Sequence, residues 1–317
     1  MVVPDSRYGR IYTVAFHTDG MHFFVGTWDG IQRWRVADGR EVGKQTGMNM
    51  NAISVSRDGK WVVCGFVEGA NVWDAELQRK IVEVEGTNRV SAVDVSPEST
   101  RFATGTGKAS IWSITTGERL VGPLEHGNDS DVTGIKFSPD GGHIATACPD
   151  SIHIFDSYNG DQLITIKNSL PGFLTTLIVW PSDVLLFAIS KSGKIKSFDT
   201  STGSQLAEWK IHSHGGGDMM SVALSADNRF IASSAGHSIS FWDTSTHTQL
   251  GSVLEDGGEI RSIALSPDGT RLATGGMNNK TITIWNLSDI LPESYLPISV
   301  STTFPTATTF VYRCSFL

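Results

Sequence analysis

Cysteine is scarce in this chain. Cys64, Cys148 and Cys314 are odd in number and far apart in 317 residues, which argues against a disulfide framework and points to a reducing compartment. Basic charge is short as well: 25 Lys and Arg stand against 33 Asp and Glu, a formal net charge of −8. That balance favours solubility and argues against a nucleic-acid backbone as the main ligand. Long hydrophobic runs are missing. The most apolar stretch, residues 174–189, is interrupted by Pro181-Ser182-Asp183, and residues 1–10 lack the apolar centre of a signal peptide. An intracellular protein, cytoplasmic or nuclear, with no membrane partner is therefore expected. Without secretion, the sequons at Asn128, Asn279 and Asn286 are chance matches.

Catalytic patterns are equally absent. Gly105-Thr106-Gly107-Lys108-Ala109-Ser110 has the outline of a phosphate-binding loop, but Phe102 stands where that pattern needs Gly and Ala109 where it needs Ser or Thr. His212, His214 and Asp218 could gather around a metal, yet they share a Gly-rich connection with no Cys or third His nearby. The remaining His residues are scattered, and no Ser-His-Asp, Cys-His or paired-carboxylate set emerges. We therefore expect no enzyme, no metal and no cofactor.

What is present is a repeat. Aromatics at Trp34, Trp73, Trp112, Phe155, Phe198, Trp242 and Trp285 recur at intervals of 39 to 44 residues. Each closes a cycle of an apolar strand, a turn, an Ala-Thr-Gly-like strand and a third strand. The turns read Thr18-Asp19-Gly20, Arg57-Asp58-Gly59, Pro97-Glu98-Ser99, Pro139-Asp140-Gly141, Pro181-Ser182-Asp183, Ala226-Asp227-Asn228 and Pro267-Asp268-Gly269. Pro presets φ, Asp bonds the backbone ahead of it and Gly accepts positive φ, so these aspartates are hairpin residues. A later turn, such as Asp38-Gly39 or Asn159-Gly160, joins the third strand to a fourth.

A four-stranded unit at this period is the signature of β-propeller blades, each too small to bury its own apolar face. The expected fold is all-β, a seven-bladed propeller of four-stranded antiparallel blades over residues 1–288. Its blades lie near 11–46, 51–86, 89–125, 131–168, 173–211, 219–255 and 259–287. A chain of this length buries about three quarters of its unfolded surface as one domain. Blade 7 lacks an obvious fourth strand, and an exposed edge needs cover. Met1-Val2-Val3 is expected to pair beside residues 281–285, with residues 289–317 left as a flexible tail; an edge strand over residues 295–300 is the alternative.

These motifs resemble the WD-repeat β-propeller family. Trp73-Asp74 and Trp242-Asp243 keep its dipeptide, whereas Trp285-Asn286, Phe155-Asp156, Phe198-Asp199, Trp112-Ser113 and Trp34-Arg35 are degraded forms. Residues 122–126 followed by 134–141 are similar to large fungal members. Family blades often carry a buried set of His, Ser or Thr, Asp and Trp. Here blade 4 keeps His126, Thr146 and Asp150 with Phe155 in place of Trp, and blade 1 keeps Asp29 and Trp34. Packing rather than that network is expected to hold most blades.

The resemblance implies a non-catalytic scaffold, a single propeller within a complex, binding a partner protein or peptide. Its common site is the face formed by loops entering the first strand and joining the second to the third. There the chain presents Arg10, Trp28, Val67, Phe173, Arg261 and Met277, with no two blades alike. Gly26, Gly65 and Gly275 align Trp28, Val67 and Met277 at one turn position, usually polar. Trp and Arg are frequent energetic hot spots and Met adapts to surfaces, so these six are the candidate partner contacts. Alternatively, Trp28 folds over the rim as local packing. Two other functions stay open. A ubiquitin-ligase adaptor would often carry Trp-Asp-x-Arg, where this chain has Trp73-Asp74-Ala75-Glu76 and Trp242-Asp243-Thr244-Ser245. A small-ligand or glycan-binding propeller would need equivalent polar and aromatic clusters in several blades.

Overall fold

The computed structural model describes residues 10–46, 49–86, 89–126, 131–167, 177–189, 193–210, 220–276, 281–296 and 310–313, with Leu177 and residues 310–313 described by backbone alone. Within each repeat, turn chemistry sets where strands begin and end. Ser56 shows the device: its hydroxyl donates to Asp58 Oδ1 at 2.7 Å and accepts from the Trp61 N–H at 2.9 Å, locking the hairpin. Ser138 with Asp140, Ser225 with Asp227 and Ser266 with Asp268 repeat it. Asp140 is held below the usual carboxylate range by the Ser138 hydroxyl and the Gly142 N–H, so its bonds are used within the turn.

Between such turns, apolar and β-branched residues form strands. Second and third strands, such as His22–Thr27 and Gly30–Arg35, are buried almost throughout, whereas fourth strands such as Glu41–Thr46 and Gln205–Lys210 carry charge and are exposed. Strands covered on both faces read as continuous apolar runs, and charged outer strands resist pairing with another chain. The result is seven four-stranded antiparallel sheets, the strands of each in chain order. The fold is a seven-bladed β-propeller.

The chain divides into two compact units. Met48–Ile211 holds blades 2 to 5, and Met1–Gly47 with His212–Leu317 holds blades 1, 6 and 7. Inside each unit the core lies between neighbouring blades. Val63 and Val72 of blade 2 pack with Val93, Val95 and Phe102 of blade 3. In the other unit, Ile11, Val14 and Phe16 of blade 1 pack with Ala273, Ile282 and Ile284 of blade 7. Close approach explains the glycine of the Ala-Thr-Gly-like strand: a Cβ on Gly275 would lie 2.6 Å from Ile11 Cγ2, and one on Gly105 2.8 Å from Val132 Cγ1.

Hydrogen bonds between first strands add to this packing. Ser54 accepts from the Val95 N–H at 3.2 Å, and Asp94 accepts from the Phe137 N–H at 2.9 Å, tying blade 2 to 3 and blade 3 to 4. In the other unit Ser221 accepts from the Ile263 N–H at 3.0 Å and Ser262 from the Val14 N–H at 3.1 Å, tying blade 6 to 7 and blade 7 to 1. A backbone donor that its own sheet leaves unpaired is thus satisfied by the neighbouring blade.

Blade 7 corrects one expectation. Phe310–Arg313 pairs antiparallel with Thr281–Asn286, placing Thr281 opposite Arg313 and Ile284 opposite Phe310. The edge assigned to Met1-Val2-Val3, which lie outside the described residues, is held by the tail. Aromatic and β-branched content makes Phe310-Val311-Tyr312 a good strand, and a long connection after Asn286 gives it reach.

Nor is the start of the tail loose. Residues 287–296 form two 3-10 turns, Leu287–Asp289 and Glu293–Tyr295, with Leu287 and Leu291 buried; Tyr295 therefore begins no edge strand. The Tyr295 hydroxyl donates to Asp243 Oδ2 at 2.5 Å, its ring meets Phe230 edge-on at 6.4 Å, and the Arg229 guanidinium lies 5.6 Å from its centroid. Burial raises the Asp243 pKa, but bonds from Tyr295, Ser245 and Thr246 outweigh it and hold the carboxyl far below its ordinary range. Tyr295→Phe removes a donor to a buried carboxylate and should lower stability by about 1–2 kcal/mol in urea unfolding. An unchanged midpoint would mean the contact is decorative.

Candidate partner-binding face

In blades 1 and 2 the rim turn is one that glycine completes. In blade 1 the turn runs Thr27-Trp28-Asp29-Gly30. Gly30 has φ of 141°, and a Cβ there would fall 2.0 Å from the Gln45 carbonyl oxygen. Thr27 Oγ1 donates to the Gly30 carbonyl at 3.2 Å and accepts from the Asp29 N–H at 3.2 Å. Trp28 is half-buried on this rigid turn. Blade 2 repeats the geometry with Phe66-Val67-Glu68-Gly69, where Gly69 has φ of 152° and Val67 is exposed.

Elsewhere on the rim the expected contacts separate. Arg261 of blade 7 is half-buried with its guanidinium 5.9 Å from the Tyr12 centroid of blade 1, and Arg10 is half-buried where the chain enters that blade. Those two and Trp28 belong to one unit; Val67 belongs to the other. Beside Val67's blade, Arg89 donates to Asn51 Oδ1 at 2.6 Å across blades 2 and 3. Met277 and Phe173 lie outside the described residues, as do His212, His214 and Asp218. Among the described residues no group of three or more His, Cys, Asp or Glu is placed to hold a metal.

Beneath the rim lies a polar ladder that the sequence reading underestimated. Trp112 Nε1 donates to Thr104 Oγ1 at 2.9 Å, Trp242 Nε1 to Ser233 Oγ at 3.0 Å and Trp285 Nε1 to Thr274 Oγ1 at 3.3 Å. Thr274 in turn donates to Asp256 Oδ2 at 2.6 Å. In blade 4, His126 Nε2 bonds Thr146 Oγ1 at 2.9 Å, beside Phe155. Blades 1, 2 and 5 are the exceptions: Trp34 and Trp73 leave their buried Nε1 unpaired among the described residues, and blade 5 has Phe198 and Ala188 at the two positions. Strand register explains this, since Val25 and Cys64 stand where Thr104 and Thr274 stand. Asp150, expected in the network, instead accepts from Ser151 at 3.0 Å.

Burial tunes these groups. Among apolar neighbours, and facing His153, His126 is driven down to about 4 and stays neutral. Burial pushes the Cys64 thiol well above its usual range, and the Cys148 thiol up to about 12, so neither is a reactive thiolate near neutrality.

Blade 3 lacks a rung that blades 4 and 7 have. Glu85-Gly86, Glu125-His126 and Glu255-Asp256 occupy equivalent positions before the first strands of blades 3, 4 and 7. Where blades 4 and 7 supply an imidazole and a carboxylate, blade 3 has Gly86, and a cleft of about 220 Å³ opens there. Val84, Gly86, Thr104, Lys108, Trp112 and Arg119 are among its walls.

Three segments, residues 119–156, 203–243 and 246–286, match the family model described as WD domain, G-beta repeat. Among relatives, telomerase protein component 1 of Rattus norvegicus is 25% identical over 298 residues, covering 86% of this chain and 11% of that protein. The guanine nucleotide-binding protein subunit beta of Arabidopsis thaliana is 25% identical over 191 residues, covering 55% of this chain and 49% of its own. The chain thus spans a ninth of the first and about half of the second. By structure, the Swd1 β-propeller domain of Myceliophteria thermophila superposes with a TM-score of 0.73 at 19% identity, covering 88% of this chain and 97% of that one. Hydrazine synthase of Kuenenia stuttgartiensis reaches 0.77 at 13% identity, covering 90% and 97%. At such identities these structures speak to fold alone, and one fold serves many functions. Joined to the Trp-Asp dipeptides, the seven four-stranded sheets and the Trp-to-hydroxyl ladder, the matches mark three segments of this seven-bladed propeller as WD repeats and support the WD-repeat β-propeller family for the chain.

Proposed function

We propose that this protein is a non-catalytic interaction scaffold that binds a partner protein or peptide on the loop face, with Trp28, Arg10 and Arg261 as contacts in one unit and Val67 in the other. The observation that carries this reading is the contrast between frame and rim. Every blade repeats the same four-stranded sheet and four blades share the same Ser–Asp locked turn, while the loops entering the first strand and joining the second to the third differ in sequence from blade to blade. Varied side chains on a rigid support suit one extended, asymmetric partner. Met277 and Phe173 belong to the same proposed face by sequence position. Relatives named as a subunit and as a component support action within an assembly, with an intracellular setting.

Trp28→Ala should weaken recovery of the main cellular partner by about 2 kcal/mol or more, as expected of a hot spot, with little change in thermal unfolding. Arg261→Ala should weaken the same partner. Asp140→Ala, in a turn at the opposite end of the strands, should not. Normal binding by Trp28→Ala, or loss only in proportion to lost folding, would remove Trp28 from the interface and leave it as rim packing.

A further inference from the structure

The gap at Gly86 has a chemistry of its own. In blade 7 the equivalent space holds the Asp256 carboxylate, bonded to Thr274 at 2.6 Å, and in blade 4 it holds the His126 imidazole, bonded to Thr146 at 2.9 Å. Thr104 is the corresponding hydroxyl in blade 3. It is 5% exposed, accepts from Trp112 Nε1, and its own proton has no acceptor among the described residues. A buried donor facing a half-open cleft is an unfilled bond.

Charge selects the occupant. Lys108 and Arg119 line the cleft, Arg119 lying 5.6 Å from the centroid of the Trp112 ring. Among the described residues Glu85 is the one acidic wall, and it is exposed. Lys108 bonds Glu125 at 2.6 and 2.8 Å, but both side chains are open to water, and such a surface pair is worth about 0–1 kcal/mol, so it is readily exchanged. Two cations and a hydroxyl donor favour an anion over a neutral or cationic imidazole.

We propose that this cleft is a carboxylate-binding subsite, and that its occupant is an Asp or Glu side chain of a bound polypeptide which completes the rung that Gly86 leaves open. The identity of the occupant rests on the scaffold reading above; the carboxylate chemistry does not. In the bound state the Thr104 hydroxyl donates to one carboxylate oxygen while still accepting from Trp112, as Thr274 does between Asp256 and Trp285.

The test follows the Trp112 indole N–H resonance, assigned with Trp112→Phe, while sodium acetate is added at constant ionic strength, with sodium chloride and acetamide as controls. A saturable shift with acetate alone is expected. Gly86→Asp, whose own carboxylate fills the gap, and Thr104→Val, which removes the donor, should each weaken the acetate response about tenfold or more. Peptides selected from a random displayed library on the wild-type protein should be enriched in Asp or Glu relative to those selected on Gly86→Asp. No saturable acetate shift, or an equal shift in Thr104→Val, overturns the subsite while leaving the Trp28 prediction standing. Enrichment in His instead of acidic residues also overturns it, in favour of an imidazole. Acetate binding without acidic enrichment rejects the polypeptide occupant. Should Gly86→Asp fold poorly, Thr104→Val carries the acetate comparison and serves as the reference in the selection.

Discussion

Asp94→Ala should lower the unfolding free energy by about 2–4 kcal/mol, among the largest losses for any single side chain in Met48–Ile211. Asp94 is 4% exposed and joins three blades: its carboxylate accepts from the Phe137 N–H at 2.9 Å, from Lys136 Nζ at 2.6 Å and from Ser54 Oγ at 3.4 Å. Lys136 is nearly half exposed and can turn to water once the carboxylate is gone. The buried Phe137 N–H cannot, so the loss comes chiefly from that orphaned donor and from the space left behind. Asp94→Asn keeps an acceptor and should recover part of the loss. Ser54→Ala, whose single N–H bond to blade 3 is longer, should cost about 1 kcal/mol. Urea midpoints rank the three; an Asp94→Ala midpoint within error of wild type would show that the first-strand bonds hold nothing.

Acid should destabilise the protein well before its carboxylates protonate. His126 falls from an ordinary 6.5 to about 4 because it is buried and faces His153. Its Nδ1 has no partner among the described residues, so a second ring proton would find no acceptor among them. The unfolded chain takes up that proton near pH 6.5, whereas the folded chain refuses it until near pH 4. Stability is therefore flat above 6.5 and falls between 6.5 and 4, by roughly 3 kcal/mol at most from this one residue. His153, also lowered first by burial, acts in the same direction. Carboxyls held low, such as Asp19 at about 2 and Asp243 far below its ordinary range, contribute fully above the ordinary carboxylate range and are lost only as the pH drops further. The two windows are separate. Thermal midpoints from pH 7.5 to 4.5 should decline in wild type and flatten in His126→Asn, which is itself less stable at neutrality. A flat wild-type profile would contradict a neutral buried His126.

Much of the architecture was legible because it is written in local chemistry repeated seven times. Ser56, Ser138, Ser225 and Ser266 each lock the turn beside their own aspartate, so one reading of the turn served for those four blades; in blade 5 Pro181 and Ser182 instead end the first strand, and the chain turns at residues 183–184. What stayed hidden depends on partners distant in sequence. Nothing near Asn286 announces that Phe310–Arg313 will pair with it, and nothing near Tyr295 names Asp243. Asp256 is hard to read from the sequence because a carboxylate stands where family blades carry His, although the shared Glu before Gly86, His126 and Asp256 is a usable signal. Gly86 shows the same difficulty in reverse: a missing side chain leaves no motif, and its effect appears only when Thr104 and Trp112 are set beside it. Trp28, Val67 and Met277 were readable as positions, through the second-strand glycines Gly26, Gly65 and Gly275 that precede them, but not as neighbours.

Hydrogen exchange of the protein alone, and of the protein bound to the partner it carries from its own cell, tests the scaffold account most directly. The account predicts slower exchange on binding around residues 26–30 and 258–262, with the Ser-x-Asp-Gly turns at 56–59 and 138–141 unchanged. Protection of those turns, with residues 26–30 exchanging as they do in the free protein, would contradict it.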